Sequence, residues 1–186
     1  GVNKASGAYT TYLHDFDAPV IVGSWLGDAM SISTWVHEFG HFHDFYAYYE
    51  ETEDSTLDTA EIFSTGLVML VANHYASLLD EETAAWLQEA MVVQLLDTYV
   101  CQTSFEEFEA RVYQLDSEDL TLDRVNAIFR EVQQAYGLAV ETAPWYDLYG
   151  WITISHYYEA PFYTFSYTAA SDVALQLWQI SDRDED

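Results

Sequence analysis

The sequence predicts a mainly α domain with a small β-sheet near its N-terminus. Residues 1–30 carry β-favouring stretches separated by turn signals, and after Gly27-Asp28 the apolar residues recur at helical spacing almost to the end of the chain. With 186 residues, half of them apolar and 17% aromatic, the chain can bury one full hydrophobic core, so a single domain over 1–186 is the default expectation.

The elements follow in order. Ala8 to Leu13 and Pro19 to Val22 read as a strand pair around the turn-like Asp15-Phe16-Asp17. A first long helix is expected from about Ser31 to Tyr49, with Ser33 or Thr34 near its start, ending in the charged loop Glu50 to Ser55. A second runs from about Leu57 to Leu79. A third opens on Asp80-Glu81-Glu82, acids suited to the positive end of a helix dipole, and continues to about Leu115 with a break near Thr103-Ser104. Thr121 caps a fourth helix that Gly137 stops. Pro144 opens an aromatic-rich segment, Trp145 to Tyr167, and Pro161 starts the last helix, which reaches about Ile180. The helical part thus covers about 31–180, and 181–186 form a frayed tail.

One run in the first helix carries chemistry. In His37-Glu38-Phe39-Gly40-His41 the two histidines stand at i and i+4, on one helix face, and can converge on a single metal ion. Glu38 is displaced around the helix, towards a water on the metal rather than the metal itself. A catalytic zinc takes three protein ligands and keeps one open position. Glu61, twenty residues after His41 in the second helix, is well spaced to be the third ligand. This is the equipment of a metal-dependent peptide hydrolase. Gly40 costs the helix about 1 kcal/mol against Ala, so something must approach the backbone closely there.

Charge and composition exclude other classes. Five Lys and Arg against 32 Asp and Glu give a net charge of −27, which would repel the phosphates of a nucleic acid. The excess acid is read as a solvated, self-repelling surface. Cys101 is the single cysteine, so no internal disulfide can form, and it fits as a small buried hydrophobe. No run of 18 apolar residues exists, so no transmembrane helix is expected, and no signal peptide is visible.

Four segments, in order, resemble the M3 family of zinc oligopeptidases, particularly its oligoendopeptidase F branch. Val36 to His41 is similar to the family's metal-binding helix, and Thr59-Ala60-Glu61-Ile62-Phe63-Ser64-Thr65 to the segment that supplies a glutamate ligand. Ser155-His156-Tyr157-Tyr158-Glu159-Ala160-Pro161-Phe162-Tyr163-Thr164-Phe165-Ser166-Tyr167 is similar to the family's C-terminal His-and-tyrosine segment. Ala5-Ser6-Gly7-Ala8-Tyr9 resembles the Gly-Ala-Tyr stretch before its substrate-facing strand. The resemblance implies a zincin-like helical catalytic domain around a channel for short peptides, closed by an N-terminal helical region that this chain does not contain. It implies one zinc ion on His37, His41 and Glu61, with Glu38 as general base. His156, Tyr163 and Tyr167 become the expected donors to the tetrahedral oxyanion. A cytoplasmic location is expected on the same ground. The alternative is a zinc-binding catalytic fragment inactive without the N-terminal region.

Three departures accompany the resemblance. Asp44 stands where the family usually carries a further histidine, with His43 one residue earlier. The loop before Glu61 is shorter, and Phe165 replaces a common tyrosine. Partners for the ring N–H groups of His37 and His41 are sought among Asp44, Asp58 and Ser64. His14, His43 and His74 are read as structural.

Overall fold

A computed structural model of the chain describes residues 7–27, 29–52, 57–138 and 149–181. The end of the acidic loop at 53–55, the segment's opening at Pro144 and Trp145, the Ala5-Ser6 pair and the tail beyond 181 lie outside these ranges. Among the described residues the architecture is mainly helical with one two-stranded sheet, as composition and periodicity predicted. The residues fall into two compact units, one built from 1–96 and 169–186, the other from 97–168.

In the first unit, β1 (Ala8–Leu13) pairs antiparallel with β2 (Ala18–Gly23), in register from Ala8 opposite Gly23 to Leu13 opposite Ala18. A short 3-10 turn, His14–Phe16, joins them, and Asp17 takes a left-handed φ of 49°, which a short polar side chain tolerates. Both strands pack against α1 (Ala29–Thr52), which also packs on α2 (Leu57–Ala72). α1 therefore runs three residues past the expected end at Tyr49, into the charged stretch. The core gathers Val68, Met69 and Ala72 of α2 with Tyr75 of α3 (Tyr75–Leu78), Leu87, Met91 and Leu95 of α4 (Glu81–Tyr113), and Ala174 of α7 (Tyr163–Ser181).

The expected helix from Leu57 to Leu79 is divided at Asn73-His74. The Asn73 side chain is engaged away from its own helix. Its amide donates to Ser181 Oγ at 2.7 Å and to the Trp178 carbonyl at 3.4 Å, and its oxygen accepts from Gln88 Nε2 at 3.0 Å. A side chain held by three groups distant in sequence anchors the turn that separates α2 from α3.

In the second unit the core is aromatic. Phe105 and Phe108 of α4 meet Val125, Ile128, Phe129 and Val132 of α5 (Leu122–Ala135), together with Ile154. Thr121 Oγ1 accepts from the Arg124 N–H at 3.3 Å and Gly137 has φ of 71°, so cap and stop fall where the sequence placed them. The expected break near Thr103-Ser104 is absent, because both hydroxyls bond back to their own helix: Thr103 to the Tyr99 carbonyl at 2.7 Å, Ser104 to that of Cys101 at 2.6 Å. Beyond a 3-10 turn (Gly150–Thr153) come α6 (His156–Glu159) and α7. The last helix starts at Tyr163 rather than Pro161, since Phe162 has φ of 58° and cannot be helical. Cys101 is half-buried, and its thiol is pushed above the ordinary range by burial first and by the Asp97 charge second.

Candidate metal centre

α1 places His37 and His41 one turn apart with ring centroids 4.9 Å from each other, nearly perpendicular. Glu61 reaches them from α2. Its Oε2 lies 3.5 Å from His37 Nε2 and 3.7 Å from His41 Nε2. One donor atom from each of the three residues falls within 4.8 Å of the others, and among the described residues this is the group of three able to hold a metal ion. Three donors about 2.0–2.1 Å from a tetrahedral zinc stand about 3.3 Å apart. The two separations from Glu61 exceed that edge by about 0.2–0.4 Å, and two imidazoles with one carboxylate are an ordinary zinc donor set, so the residues fit the ion.

Gly40 makes the convergence possible. A Cβ built there would lie 2.5 Å from the Ser64 Cα and 3.0 Å from both the Phe63 carbonyl oxygen and the Ser64 nitrogen. These are backbone atoms of α2 and cannot swing aside. The close approach expected from the sequence is therefore the contact between the two helices, and it brings Glu61 within reach of both rings. Ser64 sits at the same contact, fully buried, with its hydroxyl 3.0 Å from the Glu61 carbonyl and 3.4 Å from Glu61 Oε2.

Burial sets the protonation states. Desolvation, aided by the charge of His41, lowers His37 to about 4, and desolvation alone lowers His41 to about 4. Both rings are neutral at pH 7, the form that binds a metal. Glu38 is 7% exposed, and burial raises its carboxyl above the ordinary range while a hydrogen bond from Thr10 pulls the other way. Thr10, on β1, lies 2.7 Å from Glu38 Oε2 and 2.9 Å from the Glu38 main-chain oxygen, so the strand pair holds the carboxylate through one hydroxyl. No sequence signal singled out Thr10. The alternation of the strand shows which residues share its face, but not that this face meets Glu38.

Of the expected outer partners, Ser64 contacts Glu61 rather than a ring N–H. Asp44 is buried, its carboxyl raised by desolvation and lowered by His43. The side chain of Asp58 lies outside the described residues. His43 is exposed and lines an apolar cavity of about 390 Å³ with Phe39, Ile62, Phe63, Leu67 and Leu177. His14 opens the 3-10 turn, 5.6 Å from the Tyr12 ring, and His74 sits in the turn after α2.

The second unit assembles the other expected residues. The His156 ring lies 4.6 Å from that of Tyr163 and 5.4 Å from that of Tyr167, and the two tyrosines stack 5.7 Å apart. Tyr167 Oη is 3.3 Å from His156 Nε2. Phe165, on the other side of α7, is exposed. Sequence reasoning missed Glu109, which is 4% exposed and accepts from the Phe162 N–H at 2.9 Å. A signal was present: Phe105, Phe108 and Val112 form an apolar helical face beside which Glu109 must lie.

Comparisons with known proteins give the family and the fold. Chromosomal oligoendopeptidase F of Lactococcus lactis subsp. cremoris is 29% identical over 184 residues, covering 93% of this chain and 30% of that protein. Group B oligopeptidase PepB of Streptococcus agalactiae is 30% identical over 185 residues, covering 94% and 30%. Among solved structures, PZ peptidase A with an inhibitor superposes with a TM-score of 0.83 at 25% identity, covering all of this chain and 34% of that one. A putative oligoendopeptidase F gives 0.82 at 26%, covering 98% and 33%. The chain thus spans about 30% of the length of the relatives it matches. The profile of peptidase family M3 matches residues 2–185, and the chain belongs to that family.

Proposed function

We propose that this chain is the catalytic part of a zinc-dependent oligopeptidase that hydrolyses internal bonds of short peptides. The observation that carries the reading is the convergence of His37, His41 and Glu61 at zinc-like spacing beside a buried, hydroxyl-held Glu38. A zinc ion held there would supply Lewis acidity towards a scissile carbonyl and an attacking water. His37 and His41 present neutral imidazoles that would hold it, and Glu61 would add the charge that retains it. Glu38 takes the proton of the attacking water and hands it to the leaving amine, a task its raised pKa suits. The roles of His156, Tyr163 and Tyr167 rest on the family likeness: they donate to the carbonyl oxygen as it becomes anionic. Loss of one such donor typically costs about 10²–10³ in rate.

The substrate is a short peptide, and nucleic acid is excluded by the charge of −27. Among the described residues no helix is long and apolar enough to cross a membrane. A cytoplasmic location follows the family likeness alone.

A second reading is favoured by the 30% coverage of the relatives: a zinc-binding fragment that hydrolyses only when an N-terminal helical region is supplied. Zinc content of the wild type and of Glu61→Ala, paired with cleavage of a quenched fluorescent peptide, separates the two. About one zinc per chain, lost in the variant, with chelator-sensitive cleavage supports the active enzyme. Zinc without cleavage, restored by an added N-terminal fragment, supports the second reading. No zinc in either protein refutes both.

A further inference from the structure

His156 stands on α6 while Tyr163 and Tyr167 stand on α7, so the three rings meet only because the chain turns sharply between Glu159 and Tyr163. The turn is made by Phe162 at φ of 58°, the left-handed region that a residue with a bulky side chain avoids. Something must hold it there. The Phe162 N–H donates to Glu109 Oε1 at 2.9 Å, a bond strengthened by the carboxylate charge. The Tyr113 ring packs edge-on against Phe162 at 5.4 Å, and the nearby Glu109 carboxylate, with burial, raises the Tyr113 hydroxyl above its ordinary range.

Glu109 is 96% removed from solvent and lines an apolar cavity of about 410 Å³ among Phe108, Val112, Leu122, Val125 and Trp151. A carboxylate in such surroundings is a poor choice for stability, since an apolar residue of like volume commonly packs there as well or better. Its use is geometric.

We infer that Glu109 is a positioning residue: its carboxylate pins the Phe162 N–H in the left-handed turn that sets Tyr163 and Tyr167 against His156. As a statement about catalysis this rests on the donor roles proposed above for those three side chains.

The test uses Glu109→Met, which removes the acceptor, Glu109→Gln, which keeps a neutral one, and Phe162→Gly, in which the left-handed turn needs no anchor. The zinc-loaded full chain is read for kcat, KM and zinc content, and the ring-current-shifted His156 resonances are read by NMR without turnover. Glu109→Met is expected to lower kcat about 10²-fold, the loss of one aligned donor, with KM and zinc content little changed. Its His156 resonances move, Glu109→Gln retains both properties, and adding Phe162→Gly to Glu109→Met restores most of the loss. Unmoved His156 resonances in Glu109→Met overturn the inference even if the chain alone does not hydrolyse peptides. So does a loss of kcat that Phe162→Gly fails to recover. If Glu109→Met keeps its kcat while Tyr163→Phe or Tyr167→Phe loses it, the positioning role alone falls. If His156→Ala, Tyr163→Phe and Tyr167→Phe all keep theirs, the donor roles fail and its catalytic consequence fails with them.

Discussion

Gly40→Ala is the most discriminating single change to the proposed metal centre. The added Cβ would meet the Ser64 Cα at 2.5 Å and two further backbone atoms at 3.0 Å, where carbon atoms rest at about 3.5–4.0 Å. Because the obstacle is main chain, α1 and α2 must part by about 1 Å. Overpacking of this kind costs about 1–3 kcal/mol. Alanine returns about 1 kcal/mol of helix propensity, so the apo protein should lose up to about 2 kcal/mol. The larger consequence falls on the proposed ligands His37, His41 and Glu61. Glu61 Oε2 now stands 3.5 and 3.7 Å from the two imidazoles, and an added ångström carries it well past the 3.3 Å edge that a tetrahedral zinc requires. Zinc affinity should drop about 10–100-fold, the range seen when support for metal ligands is lost. Urea unfolding of the metal-free protein and competition of a chromogenic chelator for zinc measure the two effects separately. A variant that gains stability and binds zinc as the wild type does would refute the reasoning that helix contact, through Gly40, builds the site.

Two further outcomes follow from the protonation states. In the metal-free protein His37 and His41 titrate at about 4 against 6.5 when unfolded, so between these values the unfolded chain binds more protons and stability falls as the pH is lowered. Each histidine contributes up to about 3 kcal/mol of this loss, lessened by the Glu61 carboxylate beside them, with no change above 6.5. Urea midpoints in the presence of chelator at pH 7, 5.5 and 4.5 should decline in that order, and a flat series would contradict it. Thr10→Val removes the hydroxyl that opposes burial at Glu38. The carboxyl should rise further, and the acid limb of kcat/KM should move to higher pH at unchanged zinc content. Thr10→Ser should restore the wild-type profile.

The periodicity and turn residues of the chain determined most of its local structure: the strand pair about Asp15-Phe16-Asp17, α5 between Thr121 and Gly137, and the helix that bears His37 and His41. These were legible because caps, stops and i, i+4 faces are set within a few residues of chain. Gly40 also announced a close contact, since glycine inside a helix has a local cost that only a tertiary gain offsets. The identity of the contact was not local. That Ser64 fills the space at Gly40, that Thr10 reaches Glu38, and that Asn73 divides the second helix all depend on residues far apart in sequence. Phe162 is the clearest case. Its composition suggests no left-handed turn, and Pro161 ahead of it suggests a helix start. A buried carboxylate 53 residues away accepts its N–H and makes that conformation the stable one, because the bond forms only once α4 and the 156–167 segment are packed together.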